Sequence, residues 1–564
     1  MTRSRLSWWS RATLAAALAW PGALAAQYND PPAPAAYALR GVTVVRADGS
    51  RVTGVNVVIR GGMIEAIGSD VAIPVDARVL EGDSLYVYPG IVDAQGEAEY
   101  QFPEIEVDRS EIASWDPPRD AQSFMPHRRV VDYLTETGPG LAEMRKKGLV
   151  AAAVHPEGRL MPGRGTVLVF RKGAKTSDEL VAVPALGPQM SFRGAQGVYP
   201  STLFAVIAFY RQMFEDAGHQ AAQIEAYDRN PEGLTAPAWD PDMDVVREAM
   251  GGRVPVFFEV DYGRDIQRVL KLAEEYGFTP IIVGGDEAWK VADELKARRV
   301  PVLVSLDFPK PERWKPDEKE QEEAEPGNDN GEEELGAAAQ REKQRLEDIY
   351  SNAGRLSAAG VQFALTSGGG EADILEGARK AIEYGLSEEA ALRAITVTPA
   401  SLLGIDAVAQ VEAGMAATLI VTDGPLFDEE TKVSYTFVDG ALELGKKAGA
   451  AAGEAPTVDV TGTWDVTSES EMGSMSSKMI LKQVGASFDG TTQSDFGQSK
   501  IKDGTVSGNS ISFVVVFSMG GETMEIQYTG TVEGDRASGS AESPFGSIEW
   551  TAKRISGPGG EIDQ

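Results

Sequence analysis

Short apolar runs alternate with amphipathic stretches through the middle of the chain. The runs "GLVAAAV", "TVLVF", "VPVFFEV", "TPIIVGG", "VPVLVSL" and "VQFALTS" are brief and rich in β-branched residues. Uninterrupted apolar runs of this length predict parallel strands buried on both faces. Between them, "RDIQRVLKLAEEYG", "DEAWKVADELKARR" and "EADILEGARKAIEYG" place apolar residues at helical spacing and close on glycine or basic residues. Strand-helix alternation from about Thr135 to Ser401 predicts a (β/α) barrel.

The pattern differs on either side. "GVTVVRADGSRVTGVNVVIRGGMIEAIG" alternates apolar and polar residues around Asp-Gly and Gly-Gly turns, which predicts hairpins. After the barrel, "VEAGMAATLIVTDGPLF" and "KVSYTFVDGALEL" return to short strands that can pair with those at the N-terminal end. Residues 36–85 and 405–445 are therefore expected to form one composite β subdomain around a barrel at 86–404. "KKAGAAAGEAPT" reads as a linker at 446–457. Residues 458–555 carry strands at regular spacing, which predicts an all-β barrel or sandwich of about eight strands with a filled core.

Composition changes this picture at three places. An acidic segment with few large apolar residues, about 309–346, interrupts the barrel and reads as an exposed insertion whose end becomes a helix. Arg3, Arg5 and Arg11 precede the run "ATLAAALAW" and the small residues "ALAAQ". This is the layout of a signal peptide over 1–26, cleaved after Ala25 or Ala26, and the run is too short to span a bilayer. The chain has no cysteine, which excludes disulfides, thiol nucleophiles and Cys-ligated zinc. A soluble periplasmic or secreted protein is expected. A net charge of -32 repels phosphate backbones and argues against nucleic-acid binding.

Several stretches together resemble a metal-dependent amidohydrolase of the imidazolonepropionase-like type, over roughly Ala36 to Leu444. They are "YPGIVDAQGE", "FALTSGGG", "EYGLSEEAALRAITVTPASLLGI" and "VEAGMAATLIVTDGPLF", with the N-terminal β segment. The C-terminal unit resembles an accessory domain of some exported members. The resemblance implies an α/β fold: a (β/α)8 TIM-like barrel with a composite β-sandwich subdomain, plus the C-terminal β domain. It also implies hydrolysis of non-peptide C–N bonds, in cyclic amides or N-acyl compounds, at the C-terminal ends of the barrel strands. Metal-bound hydroxide would attack and an Asp would move protons.

The positions that this resemblance assigns to metal ligands hold other residues. Gln95 and Glu97 stand in the places of a His-x-His pair, and Glu259 and Gly284 or Gly285 in those of two later histidines. Gly368 stands in the place of the aspartate base. A binuclear site of this type needs four histidines, and the chain has three: His127, His155 and His219. None lies at a ligand position, although His155 follows an apolar strand and can point into the barrel mouth or sit in a surface loop.

Three readings remain open. The protein is a catalytically inactive barrel that binds a ligand or partner. Alternatively, Glu97 and Glu259, with Asp93 or Asp261, perform metal-free acid/base chemistry or hold a hard divalent cation. Those carboxylates could equally be salt-bridged, for example to Arg164 or Arg193. In the third reading the β-rich parts mediate assembly at the cell envelope. No resident cofactor is expected. A small-molecule ligand or substrate, no nucleic acid, no membrane span and a homodimer are the partner expectations. "GALELGKK" lacks the Ser/Thr of a phosphate loop, Lys447 standing there instead, and the Met-rich "SEMGSMSSKM" reads as a loop leading into a strand.

Overall fold

Alternation and turn chemistry build the first layer. The structure, a computed structural model, describes residues 36–556 apart from 82–83, 104–111, 136–138, 310–336, 371, 446–455, 471–472, 486, 495–496, 520–521 and 544–545. The expected signal peptide, most of the acidic insertion and most of the linker lie outside the described residues. Strands β1 (Ala36–Val45), β2 (Arg51–Arg60), β3 (Met63–Gly68), β4 (Ala77–Glu81) and β5 (Tyr86–Pro89) form one sheet. Strands from beyond the barrel complete it: β15 (Leu419–Thr422), β16 (Val433–Val438) and β17 (Ala441–Leu444). The order is β17-β16-β15-β5-β1-β2-β3, with β4 on β1. Its buried face gathers Leu39, Val57, Val87, Leu419, Tyr435 and Phe437. The composite β subdomain of the expected fold is present.

The barrel begins at Pro89-Gly90, where the chain leaves that sheet. Its staves come from two arcs. The first holds β6 (Ile91–Gly96), β7 (Leu149–Val154) and β8 (Thr166–Val169), with a short β9 (Val181–Val183) at its edge. The second is all parallel: β10 (Gln189–Ser191), β11 (Val256–Val260), β12 (Pro280–Gly284), β13 (Val302–Ser305) and β14 (Phe363–Thr366). Strand β6 runs parallel to β7, but β8 is antiparallel to it. "TVLVF", expected as a parallel stave, is thus corrected to a reversed one. A strand buried on both faces looks the same in sequence whichever way it runs.

Hydrogen bonds to backbone carbonyls close the two seams. At one, the segment ahead of β8 meets β10: Gln189 N–H donates to the Gly163 carbonyl at 3.0 Å, and Ser191 N–H to the Leu160 carbonyl at 3.0 Å. At the other, β6 meets the end of β14. Gly369 N–H donates to the Gln95 carbonyl at 2.7 Å and Ser367 Oγ–H to the same oxygen at 2.9 Å. The barrel interior packs Val92, Ala151, Val167, Phe257, Val283 and Leu303. The "EEAALRAITVTPASLLGI" stretch folds as helices Glu388–Ile395 and Val397–Leu402 and adds Ala400, Leu403 and Ile405 to that interior cluster. Ser387 caps the first of these, accepting from Ala390 N–H at 3.2 Å. The end of the insertion is a helix, Ala337–Tyr350.

Residues 462–556 form a closed antiparallel barrel, β18 (Gly462–Ser470) through β25 (Gly546–Ser556) in sequence order. Trp464, Phe488, Phe513 and Trp550 fill its interior. Trp550 Nε1–H donates to the Thr529 carbonyl at 3.1 Å, so its polar edge is satisfied inside an apolar core. The Met-rich stretch expected as a loop is β strand from Gly473 onward. Cross-strand pairing to β18 and to the strand Ser487–Ser494 outweighs its polar, serine-rich composition. No described helix is long and apolar enough to cross a membrane.

Candidate functional site

The C-terminal ends of β6, β7, β10, β11 and β14 open on one cleft of about 680 Å³. Gln95, Glu97, His155, Gln189, Glu259 and Gly368 all line it. The sequence-expected positions Gln95, Glu97, Glu259 and Gly368 therefore meet in one place, and His155 points into the mouth rather than a surface loop. His127 and His219 do not join them. His127 Nδ1 pairs with Asp242 Oδ1 at 2.6 Å, and His219 is exposed on the helix Leu203–Arg229 beside Gln223.

Within β6, Asp93 is 1% exposed. Its Oδ1 accepts from Gln95 N–H at 3.0 Å and from Ser367 N–H at 3.2 Å, so it fastens β6 to β14 below the cleft. Burial pushes its pKa up, the Ser367 and Gln95 hydrogen bonds pull the other way, and the nearby Glu97 charge raises it further. Asp93 is thus a seam residue.

His155 donates through Nε2 to the Ala94 carbonyl at 3.1 Å, and its ring packs on Phe257 with centroids 4.7 Å apart. That bond leaves Nδ1 as the bare acceptor. Burial holds the pKa down to about 4, so the ring is neutral at physiological pH. Glu259 accepts from Arg193 at 2.6 Å and from Gln189 Nε2 at 3.2 Å. Of the two expected partners, only Arg193 is used. Arg164 turns away to the Leu186 carbonyl at 2.7 Å and Glu248 at 3.5 Å. Gln189 was not anticipated from the sequence. Its one signal was a polar residue inside the apolar run "ALGPQMSF".

The remaining ligand positions are filled by shape. A Cβ on Gly284 would stand 2.3 Å from Asp261 Oδ1, so the glycine there admits the Asp261 carboxylate. Burial, reinforced by the Asp286 and Glu259 charges, raises the Asp261 pKa to about 6. Gly368 has φ +79°, and a Cβ there would stand 2.3 Å from Ser305 Oγ. Restoring the missing carboxylate, Gly368→Asp, should cost about 1–3 kcal/mol through left-handed backbone strain and this clash. The urea midpoint should fall, and metal content should not rise. Stoichiometric zinc in the variant would overturn this account of the position.

A divalent metal does not fit this residue set. Gln95 offers one neutral oxygen, Glu259 is committed to a guanidinium, and Gly284 and Gly368 offer no side chain. Among the described residues, no three His, Cys, Asp or Glu side chains gather as a metal would require. Of the expected carboxylates, Glu97 and Glu259 share the cleft, Glu259 is held in its ion pair, and Asp93 is engaged in the seam.

Residues 330–451 match the model of the Amidohydrolase family. Among solved structures, an amidohydrolase from Thermotoga maritima MSB8 aligns with a TM-score of 0.58 at 21% identity, covering 73% of this chain and 100% of that one. An adenosine deaminase from Xanthomonas campestris with bound zinc aligns at a TM-score of 0.41 and 15% identity, covering 74% of this chain and 94% of that one. Molinate hydrolase aligns at 0.39 and 14% identity, covering 76% and 99%. No curated protein sequence matches the chain. The resemblance to the amidohydrolase superfamily is borne out, and with it the TIM barrel. The imidazolonepropionase-like type is not singled out.

Proposed function

We propose that this amidohydrolase-superfamily barrel, exported to the periplasm or beyond, binds an organic small molecule in the cleft where its relatives would place a metal pair. One observation carries the reading. Glu259, at a metal-ligand position, is held by Arg193 at 2.6 Å and by Gln189 at 3.2 Å. A guanidinium at that point repels a divalent cation and neutralises the carboxylate that would bind it. Ligand specificity then comes from hydrogen bonds to Gln95, Gln189 and the Arg193–Glu259 pair, and the C-terminal β barrel rides as an accessory. The test is metal content by plasma mass spectrometry on mature protein purified without chelator or affinity metal. Well under one equivalent of any divalent ion is expected. One or two equivalents would overturn the reading.

A second reading has its own support. Asp261, with a pKa raised to about 6, can give or take a proton near neutrality, as acid/base hydrolysis of a C–N bond requires. It predicts slow turnover of N-acyl or cyclic amide substrates by chelator-treated protein. Activity should rise as pH passes about 6 if Asp261 is the base, and Asp261→Asn should abolish that rise.

A further inference from the structure

Three acceptors in the wall of the cleft have no hydrogen-bond partner: Gln95 Oε1, Gln189 Oε1 and His155 Nδ1. Two are fixed as acceptors by what the rest of the group does. Gln189 spends its amide N–H on Glu259, and His155 spends its ring N–H on Ala94. Gln189 is only 7% exposed, so water does not readily serve it. A buried acceptor left unpaired costs about 1–3 kcal/mol. Three in one wall mark a place where the missing donors arrive from outside.

The charges in the same cleft point the same way. Glu97, Glu99 and Glu157 line it, and among the described residues none of these carboxylates is in an ion pair or side-chain hydrogen bond. Two guanidiniums also line it: Arg193 is paired with Glu259, and Arg159 donates to the Gly194 carbonyl at 2.7 Å. Four carboxylates, those of Glu97, Glu99, Glu157 and Glu259, face two guanidiniums, so the lining is net negative as well as rich in unpaired acceptors.

Resting on the metal-free binding reading above, we propose that the cleft takes a small organic cation bearing several N–H donors, a protonated amine or an amidinium. Its N–H groups would reach the Gln95 and Gln189 oxygens through small shifts of those side chains, Gln189 keeping its N–H on Glu259. Its charge would sit against Glu97 and Glu157. A neutral amide ligand would leave those carboxylates uncompensated, and an anion would meet them directly.

The test uses three molecules of equal length, putrescine, 1,4-butanediol and succinate, with agmatine as the amidinium-type probe. Thermal shift and calorimetry would be run on mature protein whose metal content has been measured. Putrescine and agmatine should raise Tm and bind saturably, while butanediol and succinate should not. Gln189→Leu and Glu97→Gln should each weaken the amines about tenfold. Gln95→Leu should also weaken them, yet raise the Tm of the ligand-free protein, because an unpaired buried oxygen is gone. Succinate binding in preference to putrescine would overturn the inference, as would failure of both amines in metal-free protein. Either result leaves the metal-free reading standing. A stoichiometric divalent ion in the same sample would overturn that reading itself.

Discussion

Asp93→Ala should lower the stability of the barrel by about 2–4 kcal/mol, the largest single-residue effect expected near the cleft. The carboxylate is 1% exposed and accepts from the Gln95 and Ser367 N–H groups at 3.0 and 3.2 Å. Alanine leaves two buried donors without an acceptor where β6 and β14 carry no regular ladder between them. Some of the loss is offset, because a buried carboxylate carries its own desolvation cost. Asp93→Asn keeps one acceptor oxygen and should lose less than the alanine variant. Urea midpoints of the three proteins check this. A loss under about 1 kcal/mol for alanine would show that the seam does not depend on Asp93. Because the pKa is raised in the fold, the contribution of Asp93 is fullest at acid pH and fades as pH rises through its folded pKa.

The second large effect runs with the opposite sign. The unfolded chain protonates His155 as pH falls below about 6.5, whereas the folded protein does so only near 4. Its contribution is intact above the unfolded pKa and drains away between about 6.5 and 4, amounting to roughly 2–3 kcal/mol. Asp93 and Asp261 oppose this drift, since both have raised pKa values. Comparison with His155→Gln separates them. Glutamine can still donate to the Ala94 carbonyl but does not titrate. Between about pH 7.5 and 4.5 the wild type should lose about 2–3 kcal/mol more than the variant. Equal losses would mean that His155 keeps its ordinary pKa in the folded protein.

These effects show what each level of description decided. The apolar runs, helical spacing and turn residues of the sequence determined the elements and the barrel between two β-rich parts. "YPGIVDAQGE" placed Gln95 and Glu97 at a strand end, and "VPVFFEV" did the same for Glu259. The count of three histidines already excluded a four-histidine metal site. Local pattern sufficed there because burial period and residue chemistry are written along the chain.

Tertiary structure decided the rest. The direction of β8 depends on which neighbours it bonds, Val154 to Thr166 in an antiparallel ladder, and no local period encodes that. The choice of Arg193 over Arg164 for Glu259 depends on where two loops end. Gly284 yields its space to Asp261 from the preceding stave, a coupling across 23 positions of sequence that only packing reveals. The orphaned oxygens of Gln95 and Gln189 and the bare Nδ1 of His155 are likewise facts of three dimensions. A polar side chain is satisfied or left unpaired by what lies beside it in space, and the residues beside these three come from separate staves of one barrel.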